Sequence, residues 1–230
     1  WTRKGRYLPS GSMWEATLGG HLPNSPAITE KHLFVGSTDS KVYAIDKANG
    51  KVLWKQDVGG QVRSSIAASG SMLFVGSMDG GFYALDRDTG KILYTYATGG
   101  MIWSSPAIAE NMIFTGSEEG RVYAFGTGGA SVARVWPMFR HDPRHSGVSQ
   151  FEASHLPRVR WSLDAGDWVH NSVSLADDGT AYFINFTGVL KAVAPDGKMK
   201  WQDASIGDTH ASPTIASDGT VYVTGRTSGN

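Results

Sequence analysis

The sequence predicts an all-β protein, a β-propeller of about five four-stranded antiparallel sheets, and three observations support this prediction. First, aromatic residues recur every 40 residues, as in Trp14, Trp54 and Tyr94. Second, turn signals such as Asn49-Gly50 separate short runs rich in β-branched and aromatic residues. Third, no window has the period of an amphipathic helix. A 40-residue unit of four strands cannot bury both of its faces alone, whereas radial stacking of such units into a propeller covers them.

We divide the 230 residues into one domain of five blades, each of which starts near a repeated serine. The predicted blades span residues 21–60, 61–100, 101–165 with an insert at 127–157, 166–206, and 207–230 together with 1–20. The repeated serines are Ser25, Ser65, Ser105, Ser172 and Ser212. The last blade stops after two strands, so we expect the amino-terminal strands to complete it and close the ring, which removes two exposed sheet edges. The alternative is a piece of a larger propeller.

Composition excludes several classes of protein. Twenty-one basic residues balance 21 acidic ones, which argues against a nucleic-acid partner. The absence of Cys excludes disulfides, thiol catalysis and Cys-ligated zinc. Hydrophobic residues make up 40% of the chain and charged residues 18%, as expected of a folded protein and not of a disordered one. No apolar run approaches the roughly 20 residues of a transmembrane helix, so no transmembrane segment is expected.

The insert at 127–157 interrupts the third blade. It is locally basic, and its bulky residues Trp136, Met138 and Phe139 are close together in sequence. We expect it to form a strap that packs across the ring with its charges in solvent. A partner-binding loop is the alternative.

Two kinds of segment resemble one known family. AIDKANGKVLW at 44–54 and ALDRDTGKILY at 84–94 resemble the repeat of pyrroloquinoline-quinone-type propellers, and WPMFRHDPRHSG at 136–147 resembles a motif that these domains carry near a terminus. The family includes calcium-dependent quinoprotein dehydrogenases and non-enzymatic scaffolds such as BamB. The resemblance implies a periplasmic or extracellular protein. It also implies that one aromatic residue of each repeat packs flat between blades, namely Trp14, Trp54, Tyr94, Trp161 and Trp201.

Candidate binding residues lie two positions before each repeated serine, where the repeats differ from one another. These residues are Pro23, Arg63, Trp103, His170 and His210, with Asn171 and Asp208 nearby. In the family this position precedes the innermost strand, so the side chains are expected to ring one mouth of the central channel. An arginine fork and an indole face suit an anionic or sugar-like ligand. The alternative is that solvent merely tolerates variation at this position.

These features favour a non-enzymatic scaffold that recognises a protein or glycan partner through one face of the ring. The first alternative is a carbohydrate-active enzyme, for which Asp167 and Asp208 are the acids nearest the mouth. The second is a quinoprotein oxidoreductase, which requires calcium and pyrroloquinoline quinone. For the scaffold we expect no catalytic residue, no metal and no cofactor, and the oligomeric state stays open.

Overall fold

The computed structural model describes residues 14–109, 111–126, 136–139, 141–142, 146–149 and 157–225. These residues form β-strands joined by turns and bends, and none of them is helical. Accordingly, the described part of the chain contains no helix long and apolar enough to cross a membrane.

The strands form four large sheets and one small one. The first sheet contains β1 (Ala27–Ile28), β2 (His32–Gly36), β3 (Lys41–Asp46) and β4 (Val52–Asp57). The second contains β5 (Ala67–Ser69), β6 (Met72–Gly76), β7 (Gly81–Asp86) and β8 (Ile92–Ala97). The third contains β9 (Ala107–Ala109), β10 (Met112–Ser117), β11 (Arg121–Gly126) and, after the short β12 (Val148–Ser149), β13 (Arg158–Asp164). The fourth contains β14 (Ser174–Leu175), β15 (Ala181–Ile184), β16 (Leu190–Val193) and β17 (Met199–Asp203), and β18 (Thr214–Ile215) pairs with β19 (Val221–Tyr222).

Burial falls from the centre of each blade to its rim. In the second sheet every residue of β5 and β6 is buried, whereas β8 alternates between half-buried and exposed residues. The two middle strands of a blade are covered by neighbouring blades on both faces, so they read as continuous apolar runs. Aromatic rings hold the interface between the second and third blades, where Phe82 stacks on Phe125 with ring centroids 4.5 Å apart.

The repeat tryptophans join one blade to the next. The indole N–H of Trp54 donates to the Arg87 carbonyl at 3.1 Å, and the ring lies against Gly90 of the same turn. Gly90 has φ +75°, and a Cβ there would lie 2.5 Å from the indole, so both the backbone conformation and the close approach require glycine. The equivalent indole bonds run from Trp14 to the Lys47 carbonyl at 2.7 Å and from Trp161 to the Pro195 carbonyl at 3.0 Å.

The other two repeat aromatics are placed differently. Tyr94 meets Phe125 of the next blade edge-on, with centroids 6.5 Å apart. Trp201 contacts Tyr182 of its own sheet at 5.8 Å and is 42% exposed. The turn on which Trp201 would pack is predicted to belong to the fifth blade and to lie within residues 1–13, outside the described residues.

The described residues of the insert pair with the free edges of the inner strands. The amides of Ile28 and Ala68 donate to the carbonyls of Ser146 and Gly147 at 3.0 and 2.8 Å, and those of Leu175 and Ile215 donate to Trp136 and Pro137 at 2.8 and 2.7 Å. All four donors lie three residues after a repeated serine. The insert therefore satisfies the same inward-facing amide in four blades. Trp136 is 1% exposed in the core, which agrees with the predicted strap.

Residues 14–22 lie against the first blade as residues 54–62 lie against the second. The Thr38 amide donates to the His21 carbonyl and the Met78 amide to the Gln61 carbonyl, both at 2.9 Å. Residues 14–18 thus occupy the place of the outer strand of a preceding blade. Since β18 and β19 begin a blade that lacks such a strand among the described residues, we propose that the amino-terminal residues complete it.

Candidate functional site

A cavity of about 360 Å³ lies where the first strands of all five blades converge. Below, this cavity is called the cup. Its lining brings together most of the residues predicted to form the mouth: Pro23, Arg63, Trp103, His170, His210 and Asn171. Asp208 lies elsewhere, in a second cavity of about 510 Å³ with Thr209 and Thr224, and His210 borders both cavities.

The repeated serines form the floor of the cup. The Ser65 amide donates to the Ser105 hydroxyl oxygen at 2.9 Å, and the Ser172 amide donates to that of Ser212 at 3.0 Å. The Ser25 amide makes a longer bond of 3.4 Å to Ser65. Each bond joins one blade to the next and uses a lone pair of the hydroxyl. The hydroxyl hydrogens have no acceptor among the described residues, so they can be donated into the cup.

Arg63 covers Trp103 at one side of the cup. Its guanidinium carbon lies 5.0 Å from the centre of the indole, a cation–π contact, and its Nε donates to the Gln61 side chain at 3.2 Å. Within the described part of the chain Arg63 forms no ion pair, and the buried Nε1 of Trp103 has no hydrogen-bond partner. The other N–H groups of the guanidinium make no hydrogen bond to the described residues.

His170 connects the two sides of the mouth. Its Nε2 lies 2.8 Å from a carboxylate oxygen of Glu118, and its ring lies 5.7 Å from that of Trp103 and 6.3 Å from that of His210. Phe186 contacts both histidines at 5.7 and 5.6 Å. These contacts make a continuous row of rings between the third and fifth blades.

A second ring of variable residues surrounds the cup, and we call it the outer ring. It lies four residues before each serine and comprises His21, Gln61, Met101, Trp168 and Asp208. In four blades its carbonyl accepts the amide of one hairpin residue, with bonds of 2.8–2.9 Å from Thr38, Met78, Glu118 and Phe186. The backbone is therefore repeated while the side chains differ, and Met101 and Trp168 are 44% and 48% exposed.

Sequence reasoning missed Glu118, Phe186, Met101 and Trp168, although the signal was present. Glu118 follows Thr38 and Met78 at the same 40-residue step as the mouth residues, and Met101 likewise follows His21 and Gln61. A site in a repeat protein is expected among the residues that differ at equivalent positions. This rule applies to the mouth residues, to the outer ring and to the hairpin residues that bond the outer ring.

Carboxylates of the hairpins support the fold next to the mouth. The hydroxyl of Tyr83 donates to Asp79 at 2.6 Å, and that of Tyr123 donates to Glu119 at 2.5 Å. Burial, reinforced by the bond to Glu119, raises the pKa of the Tyr123 hydroxyl well above its ordinary value. Hence Glu119 is a hydrogen-bond acceptor for a repeated tyrosine.

The described lining of the cup determines which groups it can offer to a ligand. None of the described residues that line it carries a carboxylate. No three metal-binding side chains of the described residues lie close enough together to hold an ion. The lining instead offers hydroxyl groups, one guanidinium, one indole and two imidazoles.

Comparison with known structures shows the fold. The WD40 β-propeller domain of Doa1 matches 90% of this chain and 62% of its own at 14% identity and TM-score 0.59. The computationally designed Ika4 protein matches 83% of this chain and 97% of its own at 14% identity and TM-score 0.55. BamB from Moraxella catarrhalis matches 95% and 80% at 15% identity and TM-score 0.50. Together with the four antiparallel sheets, these matches confirm the predicted all-β propeller.

Sequence comparison gives the family. No curated protein matches the chain significantly. The family described as outer membrane protein assembly factor BamB matches residues 9–126, which is 118 of 230 residues. This match confirms the resemblance to pyrroloquinoline-quinone-type repeats, and the chain belongs to this BamB-like family of repeat propellers.

Proposed function

We propose that this protein is a non-enzymatic scaffold that binds a partner protein through the face containing the cup and the outer ring. The observation that carries the proposal is the pair Met101 and Trp168, two large apolar side chains of adjacent blades that are 44% and 48% exposed on that face. A rigid, repeated backbone holds them, so little conformational entropy is lost when a partner covers them.

The composition of this face resembles that of binding hot spots. Trp and Arg are among the residues most enriched in such spots; here Arg63 and Trp103 line the cup, and Trp168 stacks on His170 of the lining with ring centroids 5.8 Å apart. A glycan partner is less well supported, because Arg63 already occupies one face of the Trp103 ring.

The family description supplies the setting of the proposal. Its namesake is an assembly factor for outer membrane proteins. We extend that role to this chain as an exported scaffold of the periplasm whose partner is a protein of the assembly process.

Site-specific photocrosslinking in living cells tests the proposal. A benzophenone amino acid replaces Met101 or Trp168 in two variants, and Leu53, which is 45% exposed on the outer strand β4, in a matched control. We expect discrete crosslinked protein bands from the two outer-ring positions and none from Leu53. Bands of equal strength at all three positions, or no band at either outer-ring position, would refute docking on this face.

A further inference from the structure

The described lining of the cup contains one fixed positive charge, that of Arg63, and several hydrogen-bond donors. Arg63 and the imidazoles of His170 and His210 border it, and none of its described lining residues is acidic. Glu118 contacts His170 of the lining, with 2.8 Å between the imidazole Nε2 and a carboxylate oxygen. The charge left without a partner is therefore that of Arg63.

The floor adds donors to this charge. The hydroxyl oxygens of Ser65, Ser105 and Ser212 accept backbone amides, which leaves the hydroxyl hydrogens for another acceptor. Asn171 is only 6% exposed, and its side chain lines the cup without a hydrogen-bond partner among the described residues. Its amide is a further hydrogen-bond donor at the floor.

The donors of Arg63 have a geometry that suits one kind of acceptor. Its guanidinium carbon lies 5.0 Å from the centre of the Trp103 ring, and the N–H groups of a guanidinium lie in its plane as a fixed fork. A planar fork of this kind matches the two oxygens of a carboxylate. Phe139 of the strap also lines the cup, and backbone atoms of the described strap residues bond the inner strands of four blades.

We propose that the cup binds the carboxylate of one acidic side chain, Asp or Glu, presented by the partner protein, with Arg63 and the serine floor as its donors. This inference rests on the proposed function and adds to it the chemistry that the partner must offer. Apolar contacts with Met101 and Trp168 then flank a central charged contact, and desolvation inside the cup makes that contact selective.

Selection from a random peptide library tests the inference. Displayed heptapeptides flanked by glycines are selected on the whole protein, and the enriched sequences are synthesised with acetylated and amidated ends for fluorescence anisotropy. We expect the enriched peptides to share one Asp or Glu, and its replacement by Asn or Gln to weaken binding at least tenfold. The Arg63→Gln variant should remove this tenfold difference, Arg63→Lys should keep part of it, and Arg160→Gln, at an exposed arginine of β13, should leave it unchanged.

Each other outcome decides against a stated part of the inference. Enriched peptides without an acid, or a difference that survives Arg63→Gln, overturn the carboxylate contact. Binding of neutral peptides that depends on a free carboxyl terminus, or equally strong binding of free succinate, assigns the cup to a different source of carboxylate and overturns the side-chain assignment. Acid-free peptides that still require Trp168 leave the proposed function standing, whereas the absence of any enriched peptide counts against both.

Discussion

The contact between Trp54 and the next blade makes the sharpest prediction about stability. Its indole N–H donates to the Arg87 carbonyl at 3.1 Å, its ring covers Gly90, and its centroid lies 6.0 Å from that of Phe34. Replacement of Trp54 by Ala removes the bond and both packing contacts, and no neighbouring side chain is placed to fill the gap on a glycine surface. The free energy of unfolding should fall.

The expected magnitude follows from these contacts. A buried aromatic side chain removes about 150–250 Å² from water, which at about 25 cal/mol per Å² is worth roughly 4–6 kcal/mol. Trp54 is only partly buried, so we take about half of this value and add about 1 kcal/mol for the hydrogen bond. Trp54→Ala should therefore cost about 3 kcal/mol, whereas Trp54→Phe, which keeps most of the packing, should cost about 1 kcal/mol.

Urea denaturation followed by circular dichroism measures these differences. The control is Leu53→Ala on the same strand, because Leu53 faces solvent, is 45% exposed and should cost no more than about 0.5 kcal/mol. In a thermal scan Trp54→Ala should melt roughly 6–12 °C below the parent. A Trp54→Ala cost within about 0.5 kcal/mol of the Leu53→Ala cost would refute the inter-blade role of the tryptophan.

Three further predictions concern ring closure, the serine floor and the strap. If residues 1–13 complete the fifth blade, Trp201→Ala should lower the free energy of unfolding of the whole chain about as much as Trp54→Ala does. In a chain that lacks residues 1–13, Trp201→Ala should have little effect. Small effects in both chains, measured by urea denaturation, would contradict closure. Ser105→Ala leaves the buried Ser65 amide without an acceptor and should cost about 1–2 kcal/mol in the same assay, and a neutral effect would contradict the bond. Burial lowers the pKa of His141 in the folded protein, so the folded state should lose stability as the pH falls below about 6.5. The loss of stability between pH 7.5 and 5 should be smaller in His141→Gln than in the parent. An equal loss in the two proteins would contradict a lowered pKa of His141.

The regular part of the fold was predictable because it follows from the 40-residue repeat of the sequence. A step of 40 residues places Trp54 and Tyr94 at the same position of adjacent sheets, and the turn glycines mark where each hairpin closes. The inner strands are only two or three residues long, so periodicity alone cannot show which of their amides stay unpaired. Consequently the pairing of β12 with β5, and the strap's contacts with Ile28 and Leu175, could not be read from sequence.

The candidate site was predictable in part for the same reason. Arg63, Trp103, His170 and His210 are equivalent in the repeat, and equivalence places them around one mouth. Asp208, chosen for its closeness in sequence to His210, is equivalent to Trp168 of the outer ring and therefore lies on a different cavity. Closeness along the chain is a poor guide in a propeller, because successive residues of a connecting loop lie at different distances from the axis.

The strap explains why the residues at the mouth can differ from blade to blade. The inner strands of a propeller have free edges along the channel, and these edges cost stability unless something pairs with them. Here backbone atoms of the strap satisfy the amide three residues after the serine in four blades, and serine hydroxyls satisfy a further amide in three. The strap's backbone and the serine repeat stabilise the inner edge, so the side chains two and four positions before each serine are not needed for this purpose. They are free to differ from blade to blade, and such differences are what a surface needs to distinguish one partner from another.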